Sequence, residues 1–122
     1  MNKSIAKKWI TALRSGDYKK AKGQLRQEEG FCCLGVLCNL HALENPLYAR
    51  TQTDPYNYGG NRGTLPSIVM RWAGLKSQYG GTLPEEVVVD FRKSTSLVEL
   101  NDDTNASFKK IACVIEKYWE AL

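Results

Sequence analysis

The sequence has one histidine, no Cys-x-x-Cys pair, no uncharged run longer than 14 residues and no block of like charge. Each shortage narrows what the chain can be. The longest uncharged run, Gly30 to Leu43, includes Asn39 and His41 and falls short of the roughly 20 apolar residues that a membrane helix needs. Lys7, Lys8 and Arg14 interrupt the stretch that a signal peptide keeps apolar, so no export signal is expected. Cytosolic thiols are normally reduced, and adjacent Cys32 and Cys33 are poorly placed to bridge each other. All four cysteines therefore read as free.

The same shortages bear on chemistry. A thiol at a helix N-terminus has its anion favoured by the macrodipole, which brings Cys32 and Cys33 forward as candidate nucleophiles. Their base is missing, because His41 lies eight residues beyond Cys33, about 12 Å along a helix that rises about 1.5 Å per residue. Cys32, Cys33, Cys38 and Cys113 lack zinc-ligand spacing, so no metal site is assigned. The adjacent carboxylates Glu28-Glu29, Glu85-Glu86 and Asp102-Asp103 serve acid–base chemistry only where a cleft shifts their pKa values, and solvated turns account for each more simply. No catalytic residue and no cofactor are assigned.

What is present is ordinary globular composition: 43% apolar, 25% charged and 10% aromatic in 122 residues, the size of a single domain over residues 1–122. The net charge of +4 comes from 17 basic and 13 acidic residues that are interspersed. It permits nucleic acid as a partner without favouring it. Helical spacing of Ile5, Trp9, Ala12 and Leu13 predicts an amphipathic helix over 4–15, with Ser4 as N-cap and Gly16 as terminator. Gln24 to Gln27, a Glu-Glu-Gly turn and Phe31 suit a short hairpin. From Cys32 to Leu43 the apolar side chains surround the axis, which predicts a helix buried on most sides; Gly35 within it marks close approach by another backbone.

Residues 44–64 hold two prolines, three glycines and three tyrosines with no apolar period and read as a long loop. A helix is expected from Pro66 to Ala73, closed by Gly74. Val87 to Phe91 is either helix or strand. Ser96 to Leu100 predicts a short helical turn, and Phe108, Ile111, Ala112, Ile115, Trp119 and Leu122 predict a packed C-terminal helix capped by Ser107, with Cys113 on its polar side either exposed or covered. These last two segments also suit a helix-turn-helix, which makes a DNA-binding regulator the alternative function.

Within the long loop, Tyr48, Tyr56 and Tyr58 offer flat amphipathic surfaces, Arg50 and Arg62 offer forked donors for phosphate or carboxylate, and Asn61 adds polar contacts. These six form the candidate ligand- or partner-binding site.

Taken together, Trp9-Ile-Thr-Ala-Leu-Arg-Ser-Gly, Tyr18, Gly23-Gln-Leu, Phe31-Cys-Cys-Leu-Gly-Val-Leu-Cys, Leu65-Pro, Trp72-Ala-Gly-Leu, Leu100-Asn-Asp, Ser107-Phe and Ile111-Ala resemble a group of small proteins of uncharacterised activity carried by tailed phages and prophages. The resemblance covers most of the chain and implies an accessory phage protein in the cytoplasm of a bacterial host, with a prior for host-takeover or anti-defence roles. The expected fold is α+β: a helix-dominated single domain around a buried central helix, with a minor hairpin or short sheet. The expected function is a non-enzymatic binding protein or inhibitor that blocks a host protein or sequesters a nucleotide-like small molecule, away from any membrane.

Overall fold

The computed structural model describes residues 1–122 and is a helix-dominated α+β fold. The first helix, α1 (Lys3–Arg14), turns Ile5, Trp9, Ile10 and Leu13 inward. Its N-cap is Asn2, not Ser4: the Asn2 side chain accepts from the Ile5 N–H at 3.1 Å, and asparagine in extended geometry is among the best residues for that task. The expected hairpin follows as two-residue strands β1 (Arg26–Gln27) and β2 (Gly30–Phe31), paired antiparallel.

The central helix α2 (Cys33–Glu44) is capped by Cys32, whose sulfur accepts from the Gly35 N–H at 3.4 Å. Cys32 through Cys38 are all buried. Trp9 of α1 donates its indole N–H to the Cys33 carbonyl at 2.9 Å, which satisfies the one polar atom of a fully buried ring. Burial does not run the whole length: Leu43 is 69% exposed, so the expected all-round burial ends one turn early, where α2 leaves the core.

The segment after α2 is more ordered than a plain loop. Proline at the first position starts the one-turn helix α3 (Pro46–Ala49), since its missing N–H is unpaired there in any helix. Helix α4 (Ser67–Ala73) ends at Gly74 with φ 69°, a left-handed C-cap that glycine adopts without strain.

Strand β3 (Thr82–Val89) and strand β4 (Arg92–Ser96) form a second antiparallel hairpin, so Val87 to Val89 is strand and Asp90-Phe91 is its turn. The pairing register shifts between Thr82 and Val87, around Pro84, which has no N–H to give the ladder. Ser96 caps α5 (Leu97–Asp102) and Ser107 caps α6 (Phe108–Tyr118), each accepting from an N–H three residues on. A 3-10 turn (Trp119–Ala121) follows α6, which lies against α1, and Leu122 is buried beneath it. The core is one contiguous cluster that draws on every helix except α3. No helix is long and apolar enough to cross a membrane.

Candidate functional site: a ring-sized cavity beneath the tyrosine loop

Residues 50–63 fold on their own side chains. Asp54 Oδ1 accepts from the Tyr56 N–H at 2.9 Å and Oδ2 from Arg62 at 2.5 Å. Asn57 Oδ1 accepts from the Gly60 N–H at 3.1 Å, and Gln52 Oε1 from the Gly59 N–H at 2.9 Å. Tyr58 and Asn61 exchange backbone hydrogen bonds at 2.9 and 3.0 Å across Gly59-Gly60, whose positive φ values of 59° and 89° close the turn. The Arg62 carbonyl then accepts from the Leu25 N–H at 2.6 Å and ties the loop to the β1–β2 hairpin.

Tyr58 points inward to His41 on α2, its hydroxyl 2.5 Å from Nδ1. Tyr48, Tyr58 and Trp72 meet the His41 ring edge-on at centroid distances of 5.4, 5.6 and 5.1 Å. Burial lowers the His41 pKa and raises that of Tyr58, so a single proton bridges two neutral partners near neutral pH. This aromatic cluster fastens the loop to α2.

Between them a cavity of about 200 Å³ remains. Gly35, Cys38, Asn39 and Ala42 of α2 form its floor, Leu25, Arg26 and Phe31 one wall, and Gln52 with Asp54 to Tyr58 the other. Arg26 lies over the Phe31 ring at 5.1 Å and forms no ion pair. Asn39 donates to the Tyr18 hydroxyl at 2.6 Å, which leaves its oxygen free as an acceptor.

Of the six expected site residues, the structure places Tyr56 and Tyr58 on the cavity wall. Tyr58 has its hydroxyl committed to His41, whereas Tyr56 is exposed. Tyr48 packs on His41 and Tyr58. Asn61 holds the turn and donates to the Leu65 carbonyl at 3.3 Å. Arg62 is paired with Asp54 and borders a separate shallow groove with Tyr56 and Glu28-Glu29. Arg50 is exposed just beyond α3 and does not line the cavity, although its neighbour Ala49 does. Sequence reasoning missed Arg26, Phe31 and Asn39. One signal pointed toward them: the backbone that Gly35 admits is that of Leu25, next to Arg26.

The buried cysteines and Asp102 are part of the packing of the fold. All four cysteines are free, with Cys32, Cys33 and Cys38 buried and Cys113 exposed. Burial pushes the Cys32 thiol up to about 11 and raises Cys33 and Cys38 as well, opposite to what a nucleophile needs. The Cys113 sulfur lies 3.6 Å from Arg14, which also pairs with Glu116. Asp102 accepts from the Gly23 N–H at 3.0 Å and from Asn101 at 2.8 Å, a clamp between α5 and the segment before β1.

Fold and site together define a small helix-dominated α+β domain with a ring-sized cavity roofed by a tyrosine-rich loop. The chain belongs to the family described as a domain of unknown function, DUF8296, whose model matches residues 1–119. No curated protein and no solved structure matches the chain.

Proposed function

We propose that this protein is a non-enzymatic binding protein that takes a planar ring into the cavity beneath residues 50–63 and holds an attached anion at Arg26. The observation that carries this reading is the unpaired Arg26 beside an aromatic-walled cavity of about 200 Å³. Pockets for whole drug-sized ligands run from about 300 Å³ upward, so a cavity of this size suits one ring with the rest of the ligand outside. A nucleotide-like molecule has that form: its base fills the cavity, the free Asn39 oxygen accepts from the base edge, and its phosphate faces Arg26. Raised thiol pKa values, a histidine used to fasten the loop and a carboxylate used as a clamp speak for binding, not for chemistry. The resemblance to phage proteins extends the reading to an accessory role inside a bacterial host, sequestering a nucleotide-like signal or blocking a host protein that offers a similar group. The DNA-regulator alternative is not favoured: the apolar face of α6 is spent on the core, and its outer face mixes Lys109, Lys110 and Lys117 with Glu116, with Glu120 in the turn that follows.

The test is calorimetry with a panel of nucleoside monophosphates and cyclic nucleotides. At least one binds the parent, and Arg26→Ala and Tyr56→Ala each weaken it by about 1 kcal/mol or more with unchanged thermal stability. The reading fails if no nucleotide binds, or if both variants bind like the parent.

A further inference from the structure

The most exposed apolar side chain of the molecule, Phe91, stands at the tip of the β3–β4 hairpin with its ring wholly in solvent. It shares a two-residue turn with Asp90, between the paired residues Val89 and Arg92, at φ values of 65° and 50°. Left-handed backbone costs a non-glycine residue about 1 to 2 kcal/mol, and glycine is the usual second residue of such a turn. The strain and the exposure both lack any return within the fold. Beneath the tip the hairpin is anchored: Ser94 is buried, Val87 and Val89 pack on the core, and Lys93 pairs with Glu86 at 3.3 Å. The phenyl group is thus presented on a fixed support and loses little freedom on docking.

The hairpin's charges restrict what it meets. Glu85, Glu86 and Asp90 outnumber Arg92 and Lys93, which argues against a phosphate backbone or an anionic lipid surface. A lone phenyl ring calls for an apolar pocket of its own size, and a cavity of about 150 Å³ is known to accept benzene. The cavity described above, about 200 Å³, has room for such a ring and sets Leu25, Phe31 and Tyr56 beside the polar Arg26, Asn39, Gln52 and Asp54. Its two charged lining residues, Arg26 and Asp54, complement Asp90 and Arg92 on either side of Phe91. Asp54 retains acceptor capacity beyond its bonds to Arg62 and Tyr56.

We propose that the partner of this hairpin is a second copy of the chain, with Phe91 of one copy seated in the loop cavity of the next, Asp90 beside Arg26 and Arg92 beside Asp54. The proposal rests on reading the cavity as a ring pocket. The contact joins two different surfaces, so it propagates head to tail into a ring or a chain. A ligand ring entering the cavity competes with Phe91 and releases single copies.

Sedimentation velocity of the full chain at rising concentration tests this. The parent forms species larger than a monomer. Phe91→Asp and Arg26→Asp, both at exposed positions, each weaken association at least about tenfold while melting like the parent. Mixing the two variants joins the intact cavity of the first to the intact tip of the second and yields a one-to-one pair that grows no further. A parent that stays monomeric, association that survives Phe91→Asp, or variants that fail to pair when mixed would each overturn the proposal. Nucleotide binding is measured separately on monomeric Phe91→Asp. Binding there with a monomeric parent sinks only the self-association, and association without nucleotide affinity sinks only the ligand reading.

Discussion

Gly35 has no room for a side chain. A Cβ built on it would lie 1.6 Å from the Leu25 carbonyl oxygen, a backbone atom that moves only if the β1–β2 hairpin moves. Gly35→Ala is therefore expected to cost about 2 kcal/mol or more in chemical denaturation, and to open the cavity wall that Leu25 and Arg26 form. A variant as stable as the parent would mean that the hairpin is not seated on α2. Asn101 is a second such point. Wholly buried, it accepts from the Cys33 N–H at 3.0 Å, donates to the Ala21 carbonyl at 3.0 Å and receives Lys20 on its own carbonyl at 2.9 Å. Asn101→Leu leaves the Cys33 N–H and the Ala21 carbonyl without partners, and a loss of about 2 to 4 kcal/mol is expected from two orphaned groups. The buried thiols set the alkaline limit. Cys32 is raised to about 11 by burial, so its unfolded form ionises first as pH climbs past about 9. Stability from this neutral thiol is complete below that point and falls as pH approaches 11, which thermal melts across the range will report.

At the scale of elements, legibility followed the period and the caps. Helices α1, α2, α4 and α6 announce themselves through local spacing, and Gly74, Ser96 and Ser107 act where their side chains and backbone freedom suggest. The β3–β4 hairpin was hidden, because Arg92 to Ser96 contains no apolar residue and the turn Asp90-Phe91 lacks the usual glycine. Ser94 is buried opposite Val87 with its hydroxyl lacking a hydrogen-bond partner. The turn itself makes a prediction with an unusual sign. Phe91→Gly removes an exposed ring and relieves left-handed strain, so the melting temperature rises, by an amount corresponding to about 1 kcal/mol. Measured at concentrations where the parent is monomeric, a lower melting temperature would show that the Phe91 ring packs against its own chain.

Across the whole molecule, the loop over residues 45–63 is held to α2 chiefly at His41, by the Tyr58 hydroxyl, the Tyr48 ring and the Asn45 side chain on its carbonyl. Burial holds the His41 pKa below its ordinary value, so protonation is favoured in the unfolded chain first. Stability is present above about pH 6.5 and is lost as pH falls through the lowered pKa. Acid titration followed by tyrosine and tryptophan fluorescence should therefore loosen the loop, and His41→Phe should flatten that dependence. The sequence by itself determined helices α1, α2, α4 and α6 but not α3, the burial of the first half of α2, the close approach at Gly35 and the concentration of tyrosines in one loop, since each of these is written in residues a few positions apart. Only the tertiary structure decided that Arg26 and Phe31 share a cavity with Tyr56, that Tyr58 belongs to His41, that Asn101 reaches back to Ala21, and that Phe91 stands alone. Those pairings join segments far apart in the chain or leave one unpaired in space. Their free energy comes from packing that exists only once the core has closed.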